Sequence, residues 1–372
     1  MQDAITPQMY GAKADGKADD TESFQKAVDS GFDVYVPTAM KETYRITKPI
    51  RITKSGCKRI FSEPMSRSAD SGAIIFDLTE KLADQKTIPL LDVHMQLLHI
   101  SGLRIVSRAV NGHRAGIMIN AMDSICDYDI QIDHCDIHNF YKAACFKGRG
   151  FEITDSKVGS CQYLAEFHWD DAEDTNSNHP PEYDQRGIAV RNNRLHNMAS
   201  GFLIVKSGHA YGLHFEGNTV DNGRGRLVRA YEQAWGWNIS GNVIQGIQGD
   251  FDFMDFRKGM RNCLICGNTF LSDDGYWIGS EGTVGSWLKC GGSTSNSIIS
   301  NNVFKNGRFM TFKNLTGSAI NGNVMQGDGT AITVTGNCSK NAVTGNACTG
   351  NIKLISKQIQ KGNAVTGNVP NE

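Results

Sequence analysis

An eight-residue phrase returns along the second half of the chain, and its spacing limits what the chain can fold into. It reads IAVRNNRL (188–195), LHFEGNTV (213–220), WNISGNVI (237–244), CLICGNTF (263–270), SIISNNVF (297–304), SAINGNVM (318–325) and NAVTGNAC (341–348), and ends as NAVTGNV (363–369). In each copy an apolar residue sits three before a central Asn, and an apolar or small residue usually sits two after it. The central residues are Asn193, Asn218, Asn242, Asn268, Asn302, Asn323, Asn346 and Asn368, separated by 25, 24, 26, 34, 21, 23 and 22 residues. Weaker copies lie upstream: LHISGLRI (98–105), IQIDHCDI (130–137) and FEITDSKV (151–158). Such regularity must be read before any domain is assigned.

A helical-hairpin repeat needs about 33 residues or more, so this period excludes it. Within each phrase apolar and polar residues alternate, which is the period of a strand. A second short apolar run follows each Asn, as in GFLIV (201–205), RLVRAY (226–231), DFDFM (250–254), FMTF (309–312) and TAITV (330–334). Two or three short strands per repeat describe one coil of a parallel β-helix. A leucine-rich repeat has a similar period, but no LxxLxLxxN phrase recurs. Asn tolerates left-handed backbone at a turn, and stacked copies can form an amide ladder. The chain has 28 Asn, 23 of them in residues 192–371, and no Pro between Pro181 and Pro370, as central strands that need every N–H require. Length alone, at about 150 residues per domain, favours two or three domains. The repeat predicts instead one all-β domain: a right-handed, single-stranded parallel β-helix of about eleven coils over 51–372, behind a capping segment over 1–50. The longer intervals place insertions near 106–120, 165–187 and 272–290.

Lys and Arg number 38 against 39 Asp and Glu, a balance that argues against a nucleic-acid or polybasic membrane protein. No apolar run reaches the roughly 18 residues of a membrane span, so no membrane insertion is expected. The N-terminus shows no charged segment followed by an apolar core, so no signal peptide is expected. The ten Cys are scattered, which favours free thiols packed as small hydrophobes. Cys263 and Cys266 have opposite strand parity, and the His residues show no HExxH or repeated ligand spacing. No metal and no cofactor are predicted. The sequons at Asn238, Asn314 and Asn337 are expected by chance in so Asn-rich a chain.

Residues 1–50 depart from the repeat. Asp19-Asp20-Thr21 followed by ESFQKAVDSG reads as a capped helix with Phe24, Ala27 and Val28 on one face and Gly31 at its stop. A solenoid needs its open end covered, and a helix across it is one solution. The string YGAKADGKADDTESFQKAV, followed by VYVP and YRI, resembles the opening of the pectate-lyase-like β-helix superfamily, which includes phage tailspikes and capsule depolymerases. The resemblance implies a right-handed β-helix acting on polysaccharide, most similar to a phage or prophage tailspike. It further implies a homotrimer carried on the virion tail, made in the host cytoplasm, whose partner is a bacterial surface polysaccharide. The opening motif is structural and transfers no catalytic residue. The DPH signature of alginate epimerases and the GHG and RIK motifs of polygalacturonases are absent, and no head-binding domain precedes residue 1.

Glycan hydrolysis uses two carboxylates about 5–5.5 Å or about 6.5–9.5 Å apart. Alternate residues on one strand face and neighbours on adjacent coils both match such spacings. The leading candidates lie in 250-DFDFMDF-256. With Phe251 and Phe253 inward, Asp250 and Asp252 point outward, and Asp255 does so if the strand ends near Met254. One coil earlier, in RLVRAYEQAWGWN (226–238), Val228 and Ala230 fit the interior. Arg229 and Tyr231 then face outward, with Glu232, Trp235 and Trp237 at the following turn. The predicted catalytic set is Asp250, Asp252, Asp255 and Glu232. The predicted substrate-binding set is Arg229, Tyr231, Trp235, Trp237, Glu166, His168, Trp169 and Trp277, because aromatic faces stack on sugars and Arg bridges hydroxyl or carboxylate groups. A lyase would instead use Tyr231 or His168 as base, with Arg229 or a cation neutralising a uronate. A third reading is a non-catalytic glycan-binding adhesin or structural spike.

Overall fold

The computed structural model describes the chain except residues 1–3, 38–41, 54, 64–72, 81–84, 96, 110–113, 123–126, 148, 169–186, 208–209, 248, 250, 273–284, 307, 328, 350–351, 356–362 and 371–372. The chain is a right-handed parallel β-helix. It divides into two compact units, one of residues 1–170 with 188–196, the other of 171–187 with 197–372. In both units each coil supplies one strand to each of three parallel sheets.

In the N-terminal unit the first sheet has seven described strands: Asp15–Asp19, Thr43–Ile46, Ala73–Asp77, Arg104–Arg108, Asp136–His138, Lys157–Gly159 and Arg194–His196. The second contains Ile50–Ile52, Pro89–Val93, Ile117–Ala121, Lys142–Lys147 and Tyr163–His168. The stacking thus begins well before the repeated phrase becomes legible at residue 98. The early coils keep inward apolar positions such as Tyr44, Ile46, Ile74 and Phe76 without the Asn that marks later ones. The helix Thr21–Asp29 buries Phe24, Ala27 and Val28 and ends at Gly31, whose φ of 79° suits glycine. Asp20 does not cap it with its side chain. Its carboxylate instead accepts the Lys13 and Ala14 amides, tying the preceding loop to the helix start.

In the C-terminal unit the first sheet also has seven described strands, from Thr219–Asp221 to Val369–Pro370. Its second sheet is built on Gly201–Ser207, Arg226–Ala230, Met254–Phe256, Leu288–Ser295, Met310–Thr316, Gly329–Val334 and Ile352–Ile355. Val228, Met254, Leu288, Met310 and Ile332 are stacked in register and face inward, all fully buried. The parallel column on the outer side runs Ile204, Arg229, Asp255, Lys289, Thr311, Thr333.

The recurring Asn forms the expected amide ladder. Asn302 Nδ2 donates to Asn323 Oδ1 at 2.9 Å and to the Ile265 carbonyl at 2.9 Å, and its backbone amide also reaches Asn323 Oδ1 at 3.1 Å. The same contacts link Asn242 to Asn268, Asn268 to Asn302, Asn323 to Asn346 and Asn346 to Asn368. The left-handed backbone, however, falls one residue earlier. Gly217, Gly241, Gly267, Asn301, Gly322, Gly345 and Gly367 all have φ between 54° and 65°. The corner is therefore made by two residues: one bends the chain, and the next turns inward and satisfies buried amides.

Five residues before each ladder Asn a second inward position appears at the preceding corner. There Ser297 and Ser318 hydroxyls and the Asn341 and Asn363 amides accept from the coil before. Leu213, Trp237 and Cys263 fill the equivalent places with apolar bulk. None of the nine described cysteines forms a disulfide, and burial first of all pushes the thiols of Cys135, Cys161 and Cys290 up to about 12. Among the described residues no helix is long and apolar enough to cross a membrane.

Candidate functional site

The outer face of the second sheet in the C-terminal unit gathers six of the twelve predicted residues: Arg229, Tyr231, Glu232, Trp235, Asp252 and Asp255. Asp255 is the middle residue of the strand Met254–Phe256, flanked by inward Met254 and Phe256. It faces outward because the strand starts at Met254 rather than ending there, so ordinary alternation is enough. Its Oδ2 is approached by three guanidinium groups: Arg257 Nε at 3.5 Å, Arg229 Nε at 3.6 Å and Arg226 Nε at 3.9 Å. The Asp255 side chain is 10% exposed, against 28% for Arg226 and Arg229 and 47% for Arg257, so the acid lies at the floor of the group.

Asp252 is also buried. Its Oδ1 accepts the Ser286 amide at 3.1 Å, and its Oδ2 accepts Lys289 Nζ at 2.8 Å. The mutual repulsion expected of clustered acids is thus relieved by cations from neighbouring coils. Glu232 pairs with Lys258. Phe253 is in the core as expected, but Phe251 is half-buried beside the Arg226 guanidinium, which lies 5.7 Å from its ring centre. Asp250 lies outside the described residues.

Aromatic groups flank the acids. The Tyr231 ring has the Arg257 guanidinium 4.6 Å from its centre, and its hydroxyl accepts from Arg229 Nη1 at 3.4 Å. Trp235, half-buried, has Arg261 stacked 4.5 Å from its ring and donates Nε1–H to Gln233 Oε1 at 2.9 Å. Trp235 and Arg261 are register partners, so the stack joins two adjacent coils. Trp237 does not belong to the surface. It is 1% exposed and packs edge-on against Phe256 at 5.4 Å, because it occupies the inward corner position that Cys263 and Ser297 hold in later coils. Its indole has no face to offer a sugar, and the expectation of substrate contact is corrected accordingly.

Glu166 and His168 lie in the N-terminal unit, on the strand Tyr163–His168. His168 Nε2 is 2.8 Å from Glu166 Oε1, and Lys142 Nζ is 2.9 Å from Oε2. Cys145 stands beside Glu166 in the adjacent coil, and the Cys, Glu and His donor atoms lie within 4.8 Å of one another. Such a donor set has the chemistry to hold a soft divalent ion, but both Glu166 oxygens are already engaged by Lys142 and His168. Trp169 and Trp277 lie outside the described residues.

Sequence reasoning missed Arg226, Arg257, Lys258, Arg261 and Lys289, five cations that meet the predicted acids and aromatics. The repeat itself contained their signal: Arg229, Asp255 and Lys289 each stand thirteen residues before the following ladder Asn.

Comparison with known proteins agrees with the fold. A stretch of 51 residues, 14% of this chain, is 41% identical to the preneck appendage protein of Bacillus phage PZA and spans 6% of that protein's length. The N-terminal fragment of bacteriophage Phi29 gene product 12 superposes with a TM-score of 0.56 at 14% identity, over 92% of this chain and 66% of the fragment. The Dettilon tailspike protein gives 0.53 at 13% identity, over 98% of this chain and 68% of its own. The catalytic unit of an α-1,3-glucanase from Streptomyces thermodiastaticus also gives 0.53, at 11% identity, over 99% and 69%. The chain shares their parallel β-helix fold. No protein-family profile matches it. The fold is shared by a tailspike, a phage gene product and a glucanase, so function has to be argued from the site.

Proposed function

We propose that this chain is a phage tailspike-like module that binds and depolymerises a bacterial surface polysaccharide. One observation carries the reading: ion-paired acids, guanidinium groups and half-buried aromatics occupy the same outward face over three successive coils, Arg229, Asp255 and Lys289 being in register. An extended polymer lying along the coil axis would meet these groups in sequence. Tyr231 and Trp235 would stack on sugar rings, and Asp252, Asp255 and Glu232 would supply the carboxylates of a glycoside hydrolase. Asp250 and Trp277 remain proposed members of the site, and Glu166, His168 and Trp169 remain proposed substrate-binding residues of the N-terminal unit by itself.

A second reading, a lyase, is favoured by the surroundings of Tyr231. Its hydroxyl accepts from Arg229, and Arg257 covers its ring. A phenol held among guanidinium groups suits abstraction of a proton beside a neutralised uronate carboxylate.

The chain is further proposed to act as a homotrimer on a virion tail. The exposed apolar residues Val243, Val303 and Val324 share one outer column, with Ile298 exposed nearby, and these would be covered by other copies. Sedimentation equilibrium would report the oligomer. The activity is tested by incubating the chain with capsular and O-antigen polysaccharides and weighing the released oligosaccharides. New reducing ends on saturated sugars indicate hydrolysis, and unsaturated ends indicate elimination. Binding to polysaccharide without fragments would leave an adhesin and overturn the enzyme reading.

A further inference from the structure

The cations on this face exceed what its acids require. Among the described residues, Arg226, Arg229, Arg257, Lys258 and Lys289 pair with only three carboxylates, Asp252, Asp255 and Glu232, and Arg261 stacks on Trp235 nearby in sequence. A carboxylate that only had to be neutralised would need one guanidinium, and buried ion pairs gain little over apolar packing. Here three guanidinium groups are drawn to Asp255, and none is held in a two-pronged pair. The Nε atoms of Arg226 and Arg229 are buried and have no hydrogen-bond partner. They lie 3.9 and 3.6 Å from Asp255 Oδ2, an ion-pair separation without a hydrogen bond, so the acid does not lock either guanidinium in place.

The electrostatics point the same way. Burial, then the Arg229 charge, holds the Arg226 guanidinium below its ordinary value, although Asp255 and Asp252 oppose this. Positive charge is gathered here on a chain whose net charge is −1. An anion arriving at these part-exposed guanidinium groups would relieve their mutual repulsion. Planar carboxylates match the guanidinium fork, and the neighbouring Tyr231 and Trp235 rings suit sugars rather than an isolated ion.

We infer that the glycan received by this face is acidic, its sugar carboxylates meeting the Arg226, Arg229 and Arg257 guanidinium groups. Asp255, besides the catalytic part proposed for it above, holds the three arginines together between binding events. The inference rests on the polysaccharide reading above and narrows it to one class of polymer.

The test uses the full chain and an immobilised panel of uronate-bearing and neutral bacterial polysaccharides. Each uronate polymer is paired with its carboxyl-reduced form, and sulfated dextran and single-stranded DNA are included as other polyanions. Retention should be confined to uronate-bearing polymers and should fall at least tenfold on carboxyl reduction. Arg229→Gln and Arg226→Gln should each weaken it about tenfold, with thermal unfolding confirming that the variants fold. Arg229→Lys should restore only part, because an ammonium lacks the fork. Equal retention of the reduced and native polymers would overturn the acidic assignment while the polysaccharide reading stands. Retention of sulfated dextran or DNA in place of every uronate polymer, or of no polysaccharide at all, would overturn both.

Discussion

Arg229 and Asp255 occupy the same position in adjacent coils, with Nε 3.6 Å from Oδ2, and Lys289 continues the column. The alternation of charge along the coil axis makes the acid a structural keystone as well as a proposed site residue. Asp255→Ala would leave Arg226, Arg229 and Arg257 facing one another without their common counter-charge. Because the arginines are partly exposed, the loss should be about 1–3 kcal/mol rather than the full cost of an orphaned buried ion. Urea unfolding at low and high salt checks this: added salt should narrow the gap to wild type by screening the repulsion. A gap that salt leaves unchanged would rule the argument out.

Asn302 is fully buried and engaged on both sides of the ladder, whereas Asn368, nearer the chain end, is only half-buried. Asn302→Ala strips partners from the Asn268 amide, the Ile265 carbonyl and the Asn323 side chain. At about 1–3 kcal/mol for each buried group left unsatisfied, it should cost about 3 kcal/mol or more. Asn368→Ala should cost about 1 kcal/mol, since water can enter the place that its half-buried side chain vacates. Denaturant midpoints of the two variants give the comparison, and equal losses would contradict a ladder whose strength depends on burial.

The two tryptophans near the site should separate cleanly. Trp237→Ala empties a packed corner and should destabilise by about 3–5 kcal/mol. Trp235→Ala should stay within about 1 kcal/mol of wild type yet reduce retention on polysaccharide. If Trp235→Ala bound polysaccharide as well as wild type, the proposed stacking role of its ring would be lost.

His196 provides a pH dependence in the N-terminal unit. Gly159 lies between His138 and His196 in register, and a methyl group there would sit 2.1 Å from His196 Nε2. The missing side chain lets the two rings meet edge to face at 5.5 Å. Burial first, then the charges of His138, Lys157 and Arg194, lowers the His196 pKa, with Asp136 opposing. The unfolded chain, at an ordinary value of about 6.5, therefore binds more protons in this window than the folded one. Stability from this group is present above that value and is lost as pH falls through the lowered one. Unfolding measured at about pH 7.5 and about pH 5.5 should show a smaller difference in His196→Gln than in wild type. Identical differences would refute the assignment.

The coil architecture was legible because corners repeat: each ladder Asn follows a Gly or Asn that bends the chain, and both residues appear in the sequence at a nearly fixed period. The coils before residue 98 were not, since their inward positions use Tyr44, Ile74 and other apolar residues that any strand could hold. Among the proposed site residues, the outward placement of Asp252, Arg229 and Tyr231 was read from strand parity, whereas Asp255 faces outward because its strand starts at Met254 rather than ending there. Trp237 was misread because an aromatic residue after a polar turn looks like a surface group unless its phase to Asn242 is counted. Arg226 and Arg257, beside Asp255, were invisible for a different reason. Pairing across coils joins residues about one repeat apart, and only aligning the copies on their Asn brings Arg229, Asp255 and Lys289 into one column.

The division of each corner between a bending residue and an inward amide has a bearing on how such a chain changes. A coil is registered by where its Asn docks, not by how many residues it takes to get there. The interval from Asn268 to Asn302 is 34 residues and the next is 21, yet both steps make the same amide contacts. Length variation is absorbed within the coil that carries it and is not passed to its neighbours. New loops and new outward charges can therefore be tried one coil at a time on a frame that does not need to be redesigned.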